Sequence, residues 1–492
     1  MNIRVTAQPL PLRVPEGISL PASKSISNRM LLLRTLSGGE IKLHNISDCD
    51  DTIAMEQGLK SLGVQSPAII DVGAAGTAMR FLTAYFATTE SQDVIITGTE
   101  RMRHRPIGVL VDALRSMGAD ISYDGEDGYP PLHIKGRQLE GGTISLPGNV
   151  SSQYISALLM VAPTMQKGLT LSIVGEVISR PYINITTSLM RHFGISIEEP
   201  DERTIIVHPG KYRGGEYTIE NDWSAASYWY EMLALAPEGE VRLQGLFADS
   251  LQGDSCVRQL FEPLGITTEF DENGAVLRKS SRVNSQWSMV NAEGIASGSS
   301  AVGGAGADFK EPRERSGNGQ WSMPKASRAA RRLSAEPVPT SKSRESEAAT
   351  VNGQWSIIND LTTCPDLAQT MVATCCGMGV AFRFSGLQSL RIKETDRLLA
   401  LQQELSKLGY RITEHDGSIL ESEAKREGLE NSKSPNSKSI DTYNDHRMAM
   451  CMAPLAVLCE DGLIINDAQV VSKSYPTFWD DLKTAGYGIE RL

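Results

Sequence analysis

The chain has 492 residues, with 48 Lys plus Arg against 59 Asp plus Glu, a formal net charge of -11, and 40% hydrophobic and 22% charged residues. That length exceeds what a single hydrophobic core serves, so two domains are expected, and the composition is that of a soluble globular protein. The acidic balance argues against nucleic acid as the main partner, and the longest apolar run, Met448 to Cys459, is too short to cross a bilayer. The opening M-N-I-R-V-T-A-Q-P-L-P lacks the apolar core of a signal peptide, which sets a cytoplasmic expectation. The seven cysteines are scattered, with no C-x-x-C and no His pair at ligand spacing, so neither a disulfide frame nor a metal site is expected. Cations are nevertheless concentrated in a few turns, the pattern of a protein that binds small anions by focused charge.

Residues 1–18 alternate apolar positions between Pro-bounded turns and predict a short strand. Leu20 to Arg29, L-P-A-S-K-S-I-S-N-R, then sets Lys24, Ser25, Ser27 and Arg29 where an extended segment becomes an apolar helix that stops at Gly38 and Gly39. The free N–H groups and positive dipole end of such a helix favour an anion, although a capped helix with solvated charges would read the same. Ile53 to Leu62 predicts an amphipathic helix, and Asp48, Asp50 and Asp51 read most simply as its cap and first-turn dipole match. D-V-G-A-A-G-T-A-M-R, Asp71 to Arg80, allows close backbone approach to a ligand at a helix that begins near Thr77. In Thr97 to Pro106, Arg101, Arg103 and Arg105 alternate; an extended conformation puts them on one side, with His104 facing away. Ser151, Ser152 and Gln153 open another apolar helix with groups suited to a polyol or phosphate. Ser179, Arg180 and Tyr182 precede the helix Ile183 to Phe193, and Asn221 to Tyr230 opens a further one. The repeated order of strand, polar turn, apolar helix and glycine stop predicts α/β modules whose helix amino termini converge on one cleft.

Residues 279–355 break this order: apolar periodicity is lost, and eleven Lys plus Arg face seven Asp plus Glu. Q-W-S recurs at Gln286, Gln320 and Gln354, but the residues between lack the apolar positions of a helical repeat. The segment reads as a disordered insertion, and Glu421 to Ser439 as a second surface excursion. Order returns with Asp366 after Pro365 at a helix start. Arg391, Lys393, Glu394, Asp396 and Arg397 then crowd the entry of a helix whose stripe is Leu398, Leu401, Leu405 and Leu408. Cations at a helix amino terminus oppose its dipole, so an anionic partner explains them better than solvation. Asp445, His446 and Arg447 repeat the arrangement, and Lys473 stands in a turn near the end.

Read in order, L-P-A-S-K-S-I-S-N-R, G-A-A-G-T-A-M-R, R-M-R-H-R-P-I-G, V-S-S-Q, S-R-P-Y, P-D-L-A, R-I-K-E-T-D-R, Y-N-D-H-R-M-A-M and S-K-S-Y-P resemble the 5-enolpyruvylshikimate-3-phosphate synthase family across nearly the whole chain outside the insertion. The resemblance implies a two-lobed, inside-out α/β barrel of the enolpyruvyl transferase type, with three βαβαββ-like units per lobe. Lobe 1 would comprise residues 1–18 and 222–492, lobe 2 residues 19–221, and residues 279–355 would be an insertion in lobe 1. It also implies transfer of the enolpyruvyl group of phosphoenolpyruvate to the 5-hydroxyl of shikimate 3-phosphate, by a cytoplasmic monomer with no cofactor, metal, nucleic acid or membrane partner. By the same resemblance Lys24, Gly76, Arg101, Arg397, Arg447 and Lys473 would hold phosphoenolpyruvate. Lys24, Ser25, Arg29, Ser151, Ser152, Gln153, Ser179, Tyr182, Asp366 and Lys393 would hold shikimate 3-phosphate.

Addition and elimination across an enol ether need paired acid and base groups, and Asp366, Glu394 and Lys24 are the candidates. Ala74, Phe81 and Ser389 depart from residues common in the family, and Gly63 to Val72 looks short by a hairpin. The alternatives are the UDP-N-acetylglucosamine enolpyruvyl transferases, whose usual loop cysteine is absent from Thr97 to Pro106, and a non-catalytic derivative acting as a binding protein.

Overall fold

A computed structural model describes residues 1–61, 66–175, 177, 180–279, 347–351, 354–426 and 438–492. Its recurring unit is a four-stranded sheet: two parallel strands joined through a helix, then an antiparallel hairpin whose second strand pairs with the second parallel strand. Ala68–Asp71, Asp93–Thr97, Leu132–Lys135 and Asp120–Tyr123 lie side by side in this order. The same order recurs in Gly142–Pro147, Leu169–Val174, Thr204–Val207 and Ile197–Asp201. It recurs in Leu12–Ser19, Gly239–Gln244, Gly274–Lys279 and Ile266–Asp271. In a further sheet both chain ends supply the antiparallel pair, Ile3–Thr6 and Gly488–Arg491, beside Leu463–Ile465 and Lys438–Ile440.

Strand sequence explains which face turns inward. In Leu169–Val174, Leu169, Leu171 and Ile173 are buried while Thr170 and Ser172 are partly exposed, the period-two pattern of a sheet covered on one side. The helices are the covering layer, and some are apolar all round. Every residue of Gly76–Thr88 is buried, as is nearly all of Trp223–Leu235. Helices without a polar face belong in the middle of a fold, so helices lie inside and sheets outside.

The buried side chains form two separate clusters. One runs from Ile3 to Leu20 and from Trp223 to Tyr487, the other from Ala22 to Ile219. The fold is therefore two-lobed, and the chain passes between lobes at Leu20–Ala22 and Ile219–Trp223. These crossings are tied together: Ala22 bridges Asn221, Ser23 N–H donates to Glu220 O at 2.9 Å, and Asp222 N–H donates to Pro21 O at 2.9 Å. The buried Glu220 carboxylate accepts from Trp223 Nε1, Phe247 N, Ser250 Oγ and Gln252 Nε2, which fixes the second crossing against its lobe.

The structure adjusts several expectations. The first 18 residues form two strands, Ile3–Thr6 and Leu12–Ser19, in different sheets. The expectation that one unit lacks a hairpin agrees with the sheet of Ile41–His44, which among the described residues pairs only with Gly215–Thr218. The segment 279–355 is too long as an insertion, because Lys279 ends one strand while Glu347–Val351 and Gln354–Asp360 form an antiparallel pair in a five-stranded sheet. The disorder expected for the remainder, and most of the excursion 421–439, lies outside the described residues.

Candidate active site

A cavity of about 540 Å³ opens between the lobes. Its lining comes from the first turns of successive helices: Lys24 and Ser25, Asp51, Gly76 and Thr77, Arg101, Ser152 and Gln153, Tyr182, Ser224, Arg397, and His446 with Arg447. The positive dipole ends of these helices face the cavity, although Thr99, Ser151, Asp222, Asp396 and Asp445 each cap one of them by accepting from a first-turn N–H.

The lobe 2 wall adds cations that neutral atoms alone hold. Arg29, 2% exposed, donates through Nε to Thr186 Oγ1 at 2.7 Å, through Nη1 to Ser25 O, and through Nη2 to Ser156 Oγ and Tyr182 O. Its guanidinium lies 5.5 Å from the Phe81 ring centroid. Arg80 donates to Gly76 O and Pro106 O, and its Nε has no partner among the described residues. Burial pulls both guanidinium groups down to about 10, since neither has a carboxylate at ion-pair distance to oppose desolvation. Arg105 rests against the start of Gly76–Thr88: a Cβ on Gly76 would lie 2.6 Å from Arg105 Nη1, so a larger residue there would push the guanidinium aside. Gln153 Nε2 donates to Thr77 Oγ1 at 3.0 Å, and Ser151 caps its helix by accepting from Gln153 N.

The lobe 1 wall is built the opposite way. Arg397 is 1% exposed and donates to Asp445 Oδ2 at 2.7 Å, Glu394 Oε2 at 2.8 Å and Asp366 Oδ1 at 2.9 Å. Arg447 Nη2 reaches Asp366 Oδ2 at 3.2 Å, and Lys393 Nζ stands 3.7 Å from Asp366 Oδ1. Burial works against the Asp366 charge, but Arg447, Lys393 and Arg397 outweigh it and hold the carboxyl well below its usual range. Glu394 follows the same rule: burial is overcome by Arg397, His446, Arg105 and Lys24, and its pKa falls. Across the cavity, Lys24 Nζ lies 3.7 Å from Asp51 Oδ2. Burial disfavours the Lys24 ammonium, but Asp51, Cys49 and Glu394 together raise its pKa. The walls also meet directly, Tyr182 Oη donating to Asp366 Oδ2 at 2.8 Å. Lys24 is thus held as an ammonium, and Asp366 and Glu394 as carboxylates, around one space.

Most expected site residues gather there: Lys24, Ser25, Arg29, Gly76, Arg101, Ser151, Ser152, Gln153, Tyr182, Asp366, Lys393, Glu394, Arg397 and Arg447 all line the cavity. Lys473 lines a small adjoining recess, donating to Asn444 O at 2.7 Å. Ser179 lies outside the described residues.

The extended reading of Thr97 to Pro106 is overturned, because Glu100–Arg103 is one helical turn capped by Thr99. Met102 therefore points into the core, Arg103 turns back to Gly98 O, and Arg105 rather than Arg103 joins Arg101 at the cavity, with His104 also lining it. Asp51 is more than a first-turn residue, since it faces Lys24; Asp50 instead accepts from Ser472 Oγ across the cleft at 2.7 Å. Arg105, Asp51, Thr77, Arg80 and Ser224 line the cavity in addition to the residues expected there. The excess of arginines before Pro106 was the signal for Arg105. Of the departures, Ser389 lines the main cavity and Ala74 the recess, while Phe81 underlies Arg29.

The family model for EPSP synthase (3-phosphoshikimate 1-carboxyvinyltransferase) matches residues 11–293 and 329–482. A 3-phosphoshikimate 1-carboxyvinyltransferase from Bacteroides fragilis (strain YCH46) is 44% identical over 480 residues, covering 98% of this chain and 97% of the relative. One from Aliivibrio fischeri (strain MJ11) is 31% identical over 503 residues, covering 97% of this chain and 98% of the relative. The solved EPSP synthase of Acinetobacter baumannii shares the fold, with a TM-score of 0.67, 19% identity and full coverage of both chains. With the family model spanning most of the chain and relatives matching end to end, the protein belongs to the EPSP synthase family, the 3-phosphoshikimate 1-carboxyvinyltransferases.

Proposed function

We propose that the protein transfers the enolpyruvyl group of phosphoenolpyruvate to the 5-hydroxyl of shikimate 3-phosphate, releasing phosphate. One observation carries the reading: a single cavity joins uncompensated guanidinium groups on one wall to ionised carboxylates on the other, with an ammonium between them. Two substrates that repel one another require the first, and a reaction made of proton transfers requires the second.

On this reading Ser25, Arg29, Ser151, Ser152, Gln153, Ser179, Tyr182 and Lys393, with Lys24, hold shikimate 3-phosphate, hydroxyl and amide groups meeting its oxygens and the cations its phosphate. Gly76, Arg101, Arg447 and Lys473, again with Lys24, hold phosphoenolpyruvate, and Arg105 joins them because it lies against the same helix start. Arg397 contributes less as a ligand. Most of its N–H groups are committed to Asp445, Glu394 and Asp366, so it chiefly orients the two carboxylates.

Asp366, fixed by Tyr182, Arg397 and Arg447, accepts the proton of the 5-hydroxyl as its oxygen bonds to C2 of phosphoenolpyruvate. The enol double bond takes a proton at C3, giving a tetrahedral adduct. Lys24 is the charged donor in reach, and Glu394 is the partner that exchanges protons with it. Bound phosphate and carboxylate groups draw on the same cations that hold Glu394 ionised, so substrate binding raises its proton affinity toward the working range. Elimination reverses the exchange: a C3 proton returns to the Glu394–Lys24 pair, the double bond reforms, the C2–O bond to phosphate breaks, and the departing phosphate takes the proton held by Asp366, which restores its carboxylate. No electron is transferred to an outside acceptor, so the reaction calls for no redox cofactor. The reading takes the protein as a cytoplasmic monomer; among the described residues no helix is long and apolar enough to cross a membrane. Phosphate release from phosphoenolpyruvate should require shikimate 3-phosphate. Well-folded protein that releases none with both present overturns the proposal.

A further inference from the structure

Asp254 is a buried carboxylate that the reaction above does not use. It lies in the short turn Gly253–Cys256, 5% exposed and outside the cavity lining. The turn is wedged between the lobes: a Cβ on Gly253 would lie 2.6 Å from Pro181 Cβ and 3.2 Å from Thr363 O, so the close fit of glycine sets where Asp254 stands. Asp254 Oδ2 accepts from the Ser224 hydroxyl. A serine has one O–H to donate, and here it is committed to Asp254, which leaves its lone pairs for a donor on the other side. That donor is Arg447, whose Nη2 lies 3.2 Å from Ser224 Oγ. The rest of the Arg447 guanidinium is held through the Asp366 segment, Nη1 to Asp366 O at 3.1 Å and Nη2 to Asp366 Oδ2 at 3.2 Å. Ser224 is thus a hold on Arg447 that does not depend on Asp366, and Asp254 determines which way its hydroxyl points.

We propose that Asp254, acting through the Ser224 hydroxyl, is a positioning residue that fixes the Arg447 guanidinium for substrate. The inference rests on reading Arg447 as a phosphoenolpyruvate ligand. It adds why Arg447 keeps its place when Asp366 changes protonation during turnover: the Asp254–Ser224 arm is not part of the proton exchange. The surroundings agree. Burial and the nearby Asp366 push the Asp254 carboxyl up to about 6 while Arg447 opposes them, so its charge is kept by the group it helps to place.

The test is steady-state kinetics on the full chain, varying phosphoenolpyruvate and shikimate 3-phosphate separately, for Ser224→Ala, Asp254→Ala, Asp254→Asn, Ser224→Thr, Arg447→Lys and the Ser224→Ala/Asp254→Ala double variant. Ser224→Ala and Asp254→Ala should each raise KM for phosphoenolpyruvate about tenfold, the worth of a hydrogen bond to a charged group. KM for shikimate 3-phosphate and the thermal midpoint should stay close to those of the parent. Asp254→Asn, whose amide oxygen can still accept from Ser224, and Ser224→Thr, which keeps the hydroxyl, should recover most of the loss. The double variant should be no worse than either single one, because both break one relay. Additive losses, equal changes in both KM values, or no change overturn the inference. Arg447→Lys separates the two readings. If it leaves KM for phosphoenolpyruvate unchanged, the role of Arg447 as a ligand fails. If it raises that KM while Ser224→Ala and Asp254→Ala do not, only the positioning role of Asp254 fails.

Discussion

The two walls of the cavity carry similar residues in opposite electrostatic settings. Arg29 and Arg80 on lobe 2 are buried among neutral oxygens and an aromatic ring, and desolvation lowers both to about 10. Arg397 and Arg447 on lobe 1 are also buried, but Asp445, Glu394 and Asp366 raise the pKa of Arg397, and Asp366, Tyr228 and Asp254 raise that of Arg447. A guanidinium without a carboxylate keeps its field for an incoming anion. One tied to carboxylates spends that field on keeping them ionised. Lobe 2 is therefore the wall that gains most from binding a phosphate, and lobe 1 is the wall that prepares bases. Neither wall alone is an enzyme, and the closure seen in the Tyr182–Asp366 and Asp50–Ser472 hydrogen bonds brings binding and chemistry into one space.

The sharpest way to break this comparison is to remove a charge from the lobe 1 wall. Glu394→Gln keeps a hydrogen-bond acceptor for Arg397 but cannot exchange a proton. Turnover should fall about a thousandfold, the scale of a lost general acid or base, with the melting temperature little changed. Lys24→Met acts on the same proton exchange from the lobe 2 side: it removes the ammonium that faces Asp51 and Glu394, and turnover should fall about a hundredfold or more while KM for both substrates rises. A Lys24→Met protein that binds weakly yet turns over normally at saturation would make Lys24 a ligand only.

For the lobe 2 guanidinium groups the expected loss is smaller and of another kind. Arg29→Met should weaken shikimate 3-phosphate binding by about 10- to 100-fold, as for a lost hydrogen bond to a charged group, with kcat at saturation nearly unchanged. The smallest effect belongs to a carboxyl with neither kind of setting. Glu231 is buried in the lobe 1 core, and among the described residues neither of its oxygens has a partner. Burial raises its pKa well above the usual range. For a raised folded pKa the contribution to stability is fully present below the unfolded value and is lost as pH rises toward the folded one. Glu231→Met should therefore stabilise the protein by about 1–3 kcal/mol, with the gain widening as pH is raised from 5 to 8. Denaturant melts at the two pH values check this; a gain that shrinks with pH contradicts the burial account. Asp366 and Glu394, with lowered pKa values, contribute in the reverse sense, losing their stabilisation only as pH falls below the ordinary carboxylate range.

What the sequence shows of this arrangement follows the range of the forces involved. Ser151, Gln153, Lys24 and Arg397 were legible because each sits at the cap or in the first turn of a helix, where a local pattern of cap, charge and apolar stripe is enough. Arg105 was not, because choosing among three alternating arginines depends on one turn of helix, Glu100–Arg103, that is too short to leave a periodic signal. Asp51 was half legible: it does lie in a first turn, but its second role depends on Lys24, brought close only by the packing of two helices. The Asp254–Ser224–Arg447 chain joins residues about thirty and two hundred positions apart, so only the fold reveals it. The missing hairpin was readable from a short segment, whereas the strands at the end of the insertion were hidden by its composition.

The most direct test of the division between walls is calorimetric binding of shikimate 3-phosphate to Arg29→Met and Glu394→Gln, beside their turnover. Glu394→Gln should bind the acceptor as the parent does and fail to turn over, while Arg29→Met should lose affinity yet approach the parent kcat at saturation. Equal losses of affinity in the two variants, or full turnover by Glu394→Gln, would contradict the assignment of acceptor binding to Arg29 and of proton transfer to Glu394.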